Sequence, residues 1–505
     1  MAIRLTDRQV IAAASDRPFT NIVSAPGSGK TTVAAERFGY LAFQRAADRR
    51  GVLGLSFNRA AVAELGSRTT ARWGKTTTQL PNMVTTFDDL HVRLMHHLID
   101  RGLIRWPGDH SRVEVLDDYR GKPGFRFLAA TNWKRIAICD RSGKVVSDSL
   151  QLTTPTDGIG AAANHRTVLA EGLASHEDVR SILLSAIPLD GVVDAIKRWL
   201  ELNFRHIIVD EIYDADKLDL WMLDTAGSIG THLTLVGDPW QALYEWRGAT
   251  PEKVQALIDG FPFHEYEQPE SFRFRGKQMP ELARMLRTGA AVTIPRRTSD
   301  VVDVALARRW ADLWNVGDNV LPLAFRSVGN AIDAMLNLLL DEVSRRKLGR
   351  DSFGKQAACV MLGIDPEEVA LVQATVLSPV LQAMLSSNSA DRVLDLLRDA
   401  ALNLGAKRRP SRLPRQGEPD RQSEVEALSR RLRRDDLILG MTVHQAKGRE
   451  WPRVGVALSA KDEQRLAAGL HKLEPEDCVL YVALTRAREE CVSLGDIRQL
   501  QPTEN

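Results

Sequence analysis

A short glycine-rich segment, residues 24–31 (Ser-Ala-Pro-Gly-Ser-Gly-Lys-Thr), contains the residue types needed to hold a triphosphate. Small residues let backbone N–H groups approach phosphate oxygens, and the start of a following helix adds the positive end of its dipole. Lys30 can reach the β- and γ-phosphates, and the Thr31 hydroxyl can bind Mg²⁺. Ser24 stands where the strict pattern has glycine, so a structural glycine turn is the alternative interpretation. The predicted phosphate-binding residues are Ala25, Pro26, Gly27, Ser28, Gly29, Lys30 and Thr31.

Two adjacent carboxylates, Asp210 and Glu211, follow an apolar run at residues 207–209. A buried strand ending there would let Asp210 hold Mg²⁺ through water and let Glu211 orient the attacking water as general base. Two acidic residues at the start of a helix are the alternative, which weakens because the glycine-rich segment belongs to the same predicted sheet. The pattern predicts ATP hydrolysis, with Lys30, Asp210 and Glu211 as catalytic residues and Thr31 and Asp210 as metal ligands.

Alternating strands and helices must position these residues, and that alternation indicates a parallel sheet. A helix is predicted from about Lys30 to Ala47. Residues 91–170 are irregular, residues 341–440 are helical and charge-rich, and the part between 270 and 340 is predicted to hold helices and one strand. The predicted strands are 21–23, 52–57, 207–209, 233–236, 320–325, 454–458 and 491–494.

Composition excludes several classes of protein. The 505 residues predict three or four domains, and 44% hydrophobic with 26% charged residues is ordinary for a globular chain. The net charge of only +2 means that basic clusters, at 345–350, 407–409 and 430–434, must be judged locally, as solvated helix faces or as nucleic-acid contacts. The four cysteines have no zinc spacing. Without an apolar signal region or a run of about 18 apolar residues, the chain is predicted to be cytoplasmic.

The remaining motifs resemble those of the UvrD/Rep helicases of superfamily 1, in the family's order along almost the whole chain. GDPWQALYEWRGA at 237–249 and YVALTRAR at 481–488 are the most specific matches. The matching segments are 5–9 (Q motif), 56–61 (Ia), 85–87 (Ib), 210–214 (II), 237–249 (III), 271–273 (IV), 442–451 (V) and 481–488 (VI).

The resemblance implies an α/β fold with two RecA-like P-loop NTPase domains, parallel sheets flanked by helices, each with a mostly helical inserted subdomain. Domain 1A would comprise 1–90 and 171–268, and domain 2A 269–340 and 441–505. The insertions 1B (91–170) and 2B (341–440) would both be reduced relative to the family.

The resemblance also assigns nucleotide contacts. Gln9 would read the adenine edge, Phe272 would stack on adenine, and Glu450 would accept from the ribose hydroxyl. Thr32 joins the nucleotide-binding set at a position where an arginine is frequent in the family, so one nucleotide contact would be missing. The resemblance adds three catalytic residues at the γ-phosphate: Gln241, Arg273 and Arg486.

The same motifs imply a DNA-binding surface. Flat side chains at Tyr244 and Trp246 could stack on unpaired bases of any sequence, although core packing is the alternative for Tyr244. The implied DNA-binding residues are Phe57, Asn58, Arg59, Thr86, Tyr244, Trp246, Arg247 and His444.

The implied function is an ATP- and Mg²⁺-dependent helicase or translocase that moves 3′ to 5′ on single-stranded DNA or on DNA with a single-stranded tail. An alternative is a DNA-sensing ATPase subunit that regulates a partner nuclease in DNA repair or antiphage defence. Small helicases of this family, including the helicase subunit of Gabija, accompany nucleases in that way. A P-loop ATPase that acts on no nucleic acid is a third interpretation, which motifs III, V and VI disfavour.

Overall fold

Two six-stranded parallel sheets form the centre of the fold in the computed structural model, which describes residues 4–44, 48–116, 138–139, 145–147, 170–243, 248–325, 328–386, 389–411 and 417–495. The described strands are β1 (Phe19–Ser24), β2 (Gly51–Ser56), β3 (Met83–Thr86), β4 (Glu114–Leu116), β5 (Ile138–Cys139), β6 (Val145–Ser147), β7 (Leu173–Ser175), β8 (Phe204–Asp210), β9 (His232–Gly237), β10 (His264–Gln268), β11 (Arg296–Arg297), β12 (Val304–Ala307), β13 (Val320–Pro322), β14 (Ile438–Thr442), β15 (Trp451–Val456) and β16 (Ala487–Leu494).

Helices cover both sheets and form most of the segment between β13 and β14. The described α-helices are α1 (Asp7–Ala13), α2 (Lys30–Phe43), α3 (Arg59–Trp73), α4 (Phe87–Asp100), α5 (His176–Ala186), α6 (Val192–Asn203), α7 (Lys217–Ser228), α8 (Pro251–Gly260), α9 (Gln278–Arg287), α10 (Trp310–Leu313), α11 (Ala331–Leu348), α12 (Lys355–Leu362), α13 (Pro366–Leu385), α14 (Ala390–Asn403), α15 (Glu418–Leu432), α16 (Val443–Ala446), α17 (Ala460–Ala468) and α18 (Pro475–Leu484).

The first sheet has the order β10-β1-β9-β8-β2-β3, with all neighbouring strands parallel. Its inner strands are buried on both faces: in β8, Ile208 belongs to one apolar cluster, and Ile207 and Val209 belong to another. This is why Ile207, Ile208 and Val209 follow one another without alternating polar residues. Because parallel strands end at the same edge, the segments after β1, β8 and β9 meet there.

The second sheet has the order β11-β16-β15-β12-β14-β13, again parallel throughout. The prediction of one strand between residues 270 and 340 was wrong, since β11, β12 and β13 all lie there. The central strand β12 is the important omission, because its four residues are fully buried between β14 and β15.

Several element bounds also differ from prediction, among them those of α2, β13 and β16. Helix α2 ends at Phe43, with Gln44 as its C-cap, instead of continuing to Ala47. Strand β13 ends at Pro322 instead of reaching Phe325, since proline has no N–H to extend the ladder. Strand β16 begins at Ala487, four residues before the predicted start.

Helices α11–α15 pack around an apolar cluster of their own. By length and composition, α13 is apolar enough to cross a membrane, with a mean hydropathy of 1.4, but it contains Pro379 and buries one face in this cluster. Arg431 fixes the end of α15 against the second sheet: its guanidinium donates to the carbonyls of Trp314, Gly317 and Val320. A basic residue of the 430–434 cluster is therefore a buried structural contact.

The α/β prediction with two parallel sheets is confirmed. Within the first insertion, β5 pairs antiparallel with β6, while β4 pairs in parallel with β7, which lies just beyond the predicted bounds. Most of residues 91–170 that were predicted to form this insertion lie outside the described residues, so its helical character and the four domain boundaries stay predictions.

Candidate nucleotide site and DNA-binding surface

The glycine-rich segment forms a tight turn between β1 and α2. The Ser28 N–H donates to the Ala25 carbonyl at 3.1 Å, and Gly27 and Gly29 have φ of +73° and +83°, which favours glycine. A Cβ at Gly27 would lie 2.4 Å from the Cβ of Arg273, so the turn also needs glycine for space. Helix α2 begins at Lys30 and directs its free N–H groups toward the turn.

A hydroxyl and a carboxylate meet beside this turn. The Thr31 Oγ1 donates to Asp210 Oδ2 at 2.9 Å, while Asp210 Oδ1 is buried without a hydrogen-bond partner among the described residues. Burial, followed by the neighbouring charge of Glu211, raises the pKa of Asp210 to about 7. An oxygen pair with one unsatisfied buried acceptor fits the ligands that Mg²⁺ prefers.

Glu211 lies close to Lys30, the lysine predicted to bind the β- and γ-phosphates. Lys30 Nζ is 3.5 Å from Glu211 Oε1, and Glu211 adopts a left-handed φ of +64° at the end of β8. Burial acts to raise the pKa of Glu211, but the charges of Lys30 and Lys447 outweigh it and hold that pKa below its ordinary value. Glu211 is therefore ionised, as a water-orienting base must be.

The segment after β10 and the loops of the second sheet supply the facing wall. Arg273 donates through Nε to Glu450 Oε2 at 2.7 Å and through Nη1 to the Thr485 carbonyl at 2.9 Å. Arg486 is buried, and its Nη2 has no hydrogen-bond partner among the described residues. Burial, with the nearby charge of Arg273, lowers the pKa of Arg486 to about 9.

These two walls enclose one cavity of about 520 Å³, within the size range of nucleotide pockets. The structure thus brings together most of the residues predicted for ATP binding and hydrolysis. Those that line the cavity are Gly27, Gly29, Lys30, Thr31, Thr32, Asp210, Glu211, Gln241, Arg273, Glu450 and Arg486.

Gln9 and Phe272 lie at the P-loop but are absent from that lining. Gln9 forms a capping box with Thr6 and donates through Nε2 to the Ser28 carbonyl at 2.8 Å. Phe272 has 59% of its surface exposed, and its N–H donates to the Gly27 carbonyl at 2.9 Å. An exposed ring anchored at the P-loop is free to contact a base.

The Gln241 side chain is already hydrogen-bonded, whereas the predicted γ-phosphate sensor would have a free amide. Its side-chain Nε2 donates to Asp238 Oδ2 at 2.8 Å, and it is 4% exposed. Arg287 binds both oxygens of the same carboxylate, at 3.0 and 3.1 Å, and the Tyr481 hydroxyl at 2.9 Å. Arg287 therefore connects motif III to motif VI. No motif in the sequence indicated this residue.

A second missed contact joins motifs II and V. Lys447 Nζ donates to both carboxylate oxygens of Asp214, at 2.7 and 2.6 Å, and to the Gln241 carbonyl at 3.0 Å. Burial raises the pKa of Asp214 to about 6, although Lys447 opposes that shift. Both residues lie within the matched motifs, but neither local sequence indicates that they pair.

Several predicted DNA contacts have structural roles in the fold. Asn58 caps α3 by accepting from the Ala61 N–H, and Thr86 caps α4. Phe57 stacks on Phe87 with ring centroids 5.0 Å apart.

Of the other predicted DNA contacts, two lie within the described residues and three do not. Arg59 is exposed and His444 is half-buried in α16. Tyr244, Trp246 and Arg247 lie outside the described residues. The DNA-binding surface as a whole remains a prediction.

The fold and cavity define a class: a P-loop NTPase with two RecA-like domains whose nucleotide site lies between two parallel sheets. Residues 7–247 match the AAA domain family, and residues 422–492 match the UvrD-like helicase C-terminal domain. The chain belongs to the UvrD/Rep-like family of superfamily 1 helicases.

Curated relatives agree with this assignment. The chain is 24% identical over 288 residues to the probable DNA helicase II homolog of Mycoplasma genitalium, covering 54% of this chain and 40% of the relative. It is 23% identical over 266 residues to the ATP-dependent DNA helicase PcrA of Bacillus subtilis, covering 50% and 35%. PcrA of Staphylococcus aureus is 24% identical over 264 residues, covering 48% and 34%. The matches thus span less than half the length of these relatives.

Proposed function

We propose that this chain is a DNA-dependent ATPase that moves 3′ to 5′ along single-stranded DNA in the cytoplasm. The observation that carries the proposal is the shared cavity in which Lys30 and Glu211 face Arg273 and Arg486. Because residues from both walls line this cavity, ATP binding and the relative position of the two sheets depend on each other.

The residues divide the chemistry of hydrolysis between the two walls. Lys30 neutralises phosphate charge, and ionised Glu211 orients water for attack. Thr31 and Asp210 would hold Mg²⁺, which supplies charge neutralisation at the β- and γ-oxygens. Arg273 and Arg486 stabilise charge in the transition state, a role worth roughly 10³–10⁵ in kcat for arginine residues of this kind.

The Arg273–Glu450 ion pair makes the arrangement of the two sheets depend on ATP. Arg273 donates through Nε to Glu450 Oε2 at 2.7 Å. A bound triphosphate competes for that guanidinium, while ribose competes for the carboxylate. ATP binding thereby favours a different arrangement of the two sheets, and the difference in affinity between arrangements drives movement.

The decisive experiment compares ATP hydrolysis with single-stranded DNA, duplex DNA and RNA. We expect single-stranded DNA to stimulate the rate most, and Lys30→Ala to remove nearly all of it. Lys253→Ala, an exposed lysine on α8, is the matched control and should retain wild-type rates. A hydrolysis rate that no nucleic acid changes would contradict the proposal.

A second candidate is a DNA-sensing ATPase that regulates a partner nuclease, as in antiphage systems such as Gabija. One observation favours it: α13 exposes apolar side chains, with Leu371 84% and Val372 42% exposed, and exposed apolar patches often mark protein interfaces. Co-purification with products of neighbouring genes, followed by unwinding of a forked duplex, separates the two. Strong unwinding by the chain alone favours the motor; nuclease control without unwinding favours the subunit.

A further inference from the structure

One arginine outside the matched motifs joins two carboxylates that lie far apart in the chain. Arg180 is on α5, and its Nη2 donates to Asp88 Oδ1 in the first turn of α4. Its Nε lies 3.3 Å from Asp216 Oδ2, at the N-cap of α7. The guanidinium therefore bridges α4 and α7 from a third helix, and all three side chains are only partly exposed.

Asp88 is fixed to the segment that carries motif Ib. Thr86, a proposed DNA contact in that motif, caps α4 by accepting from the Asp89 N–H at 3.0 Å. Thr85 Oγ1 in turn donates to Asp89 Oδ2 at 3.0 Å. Thr85, Thr86 and the first turn of α4 thus form one hydrogen-bonded unit, so a side chain that holds Asp88 also holds Thr86.

Asp216 is fixed to the end of motif III. The backbone of Asp216 forms an antiparallel bridge with Ala249, the last residue of that motif. Beside this bridge, the Thr250 N–H donates to the Ala215 carbonyl at 3.0 Å. Arg180 is therefore connected through one carboxylate to motif Ib and through the other to motif III.

A buried layer next to the bridge explains why a cation is needed there. One turn further along α4 and α7, His91 Nε2 lies 3.2 Å from Asp219 Oδ1, and neither side chain is more than 3% exposed. Burial lowers the pKa of His91 to about 4, so this imidazole is neutral at pH 7 and offers no charge to the carboxylates. Burial raises the pKa of Asp219 to about 7, and the charge of Arg180 opposes that rise. Without the guanidinium, Asp88 and Asp216 would repel each other, and the spacing of α4 and α7 would change.

A surface salt bridge that only stabilises the fold is the simple explanation for Arg180, and such pairs contribute little. Arg112 is an example of that case: it pairs with both oxygens of Asp100 in the last turn of α4, and it is 62% exposed. That pair lies at the end of α4 that is remote from motif Ib. Arg180 differs because it holds two carboxylates, and each of them is tied by hydrogen bonds to a motif segment.

We propose that Arg180 is a positioning residue that fixes motif Ib relative to the end of motif III and thereby sets the affinity for single-stranded DNA. This inference rests on the proposed function. The planar guanidinium presents its donors in a fixed fork, so it can hold both carboxylates at once. Two DNA-contacting segments that are already held at a fixed spacing lose less conformational freedom when DNA binds. Neither Arg180 nor its partners Asp88 and Asp216 line the nucleotide cavity.

The test titrates single-stranded DNA and measures the rate of ATP hydrolysis. For Arg180→Met, we expect the DNA concentration at half-maximal stimulation to rise roughly tenfold, because the two segments are no longer held at a fixed spacing. The rate without DNA and the KM for ATP at saturating DNA should stay within about twofold, because the nucleotide cavity is unchanged. Arg180→Lys should recover only part of the affinity for DNA, since an ammonium group lacks the fork. Arg112→Met is the matched control and should behave as wild type.

Asp88→Ala tests the bridge from its other end and keeps Arg180 beside Asp216, so it serves where Arg180→Met does not fold. It should also raise the half-saturating DNA concentration, and the double mutant should be no weaker than Arg180→Met alone. Additive losses, an unchanged half-saturation in both single mutants, or an equal rise in the KM for ATP would overturn the inference and leave the ATPase proposal intact. A wild-type hydrolysis rate that DNA does not change would instead remove the proposed function.

Discussion

The pKa of Asp210, raised to about 7 by burial and by Glu211, links the metal site to stability. The ordinary value for this carboxyl is 3.8, so the native protein binds a proton between these two values that the unfolded chain has released. The free energy of unfolding attributable to Asp210 therefore falls as pH rises from about 4 to about 7.

We expect Asp210→Asn to abolish hydrolysis yet stabilise the metal-free protein at pH 8, by up to about 4 kcal/mol if the whole pKa shift is relieved. The gain should vanish near pH 4, where the native carboxyl is already neutral. Thermal unfolding in a chelator across this pH range provides the measurement. Asp224→Asn, at an exposed site on α7, serves as control. Parallel pH profiles for wild type and Asp210→Asn would contradict this interpretation.

Single residues were predictable where the chemistry is local. Residues 24–31 form one turn, and Asp210 directly follows an apolar run, so type and order were enough. The pairing of Lys447 with Asp214 spans 233 residues, and nothing in either local sequence indicates it.

At the scale of elements, two glycines test the packing of α2 against α3. A Cβ at Gly39 on α2 would lie 2.1 Å from the Trp73 ring, whereas one at Gly66 on α3 meets nothing within 4 Å. We expect Gly39→Ala to destabilise by about 1–3 kcal/mol and Gly66→Ala to stabilise by about 0.5–1 kcal/mol. Urea unfolding of the pair checks both signs, and stabilisation by Gly39→Ala would show that the helices are not closely packed.

The Asp214–Lys447 bridge connects the two sheets through their loops. Lys447→Met leaves a buried carboxyl without its cation, and we expect a loss of at least about 2 kcal/mol. Adding Asp214→Asn should restore part of it, giving a favourable coupling energy in a double-mutant cycle. Urea unfolding of the four proteins provides that energy. Additive losses would show that the two side chains do not interact in solution.

Elements were predictable where an apolar run stands beside a motif. The apolar run of β8, at 207–209, leads directly into Asp210 and Glu211, whereas the four apolar residues of β12, Val304–Ala307, have no motif beside them. Its burial comes from β14 and β15, which lie more than 130 residues later in the chain, as Leu306 opposite Met441 shows. A strand defined by such distant neighbours leaves little periodic signal in its own sequence.

At the scale of the molecule, the cavity between the sheets predicts a change on nucleotide binding. A non-hydrolysable ATP analogue with Mg²⁺ should slow hydrogen exchange at 25–31 on the first wall and at 447–451 and 271–274 on the second. Arg486→Ala should keep protection at 25–31 but lose it at 447–451. Arg296→Ala, an exposed arginine on β11, is the control. Equal protection of 447–451 in wild type and Arg486→Ala would contradict closure by Arg486.

The two-sheet architecture was predictable because motif order along the chain reflects the family's domain plan. How the two walls of the cavity meet was not predictable, since it depends on contacts such as Arg273 with Glu450, 177 residues apart.

The guanidinium of Arg431, buried against the carbonyls of Trp314, Gly317 and Val320, restricts how helices α11–α15 can swing. Rotation about the junction with β14 would strip a buried cation of all three acceptors. Any rotation of helices α11–α15 relative to the second sheet must therefore occur at a point beyond Arg431. The end of α15 around Arg431 then moves with the second sheet as one rigid body.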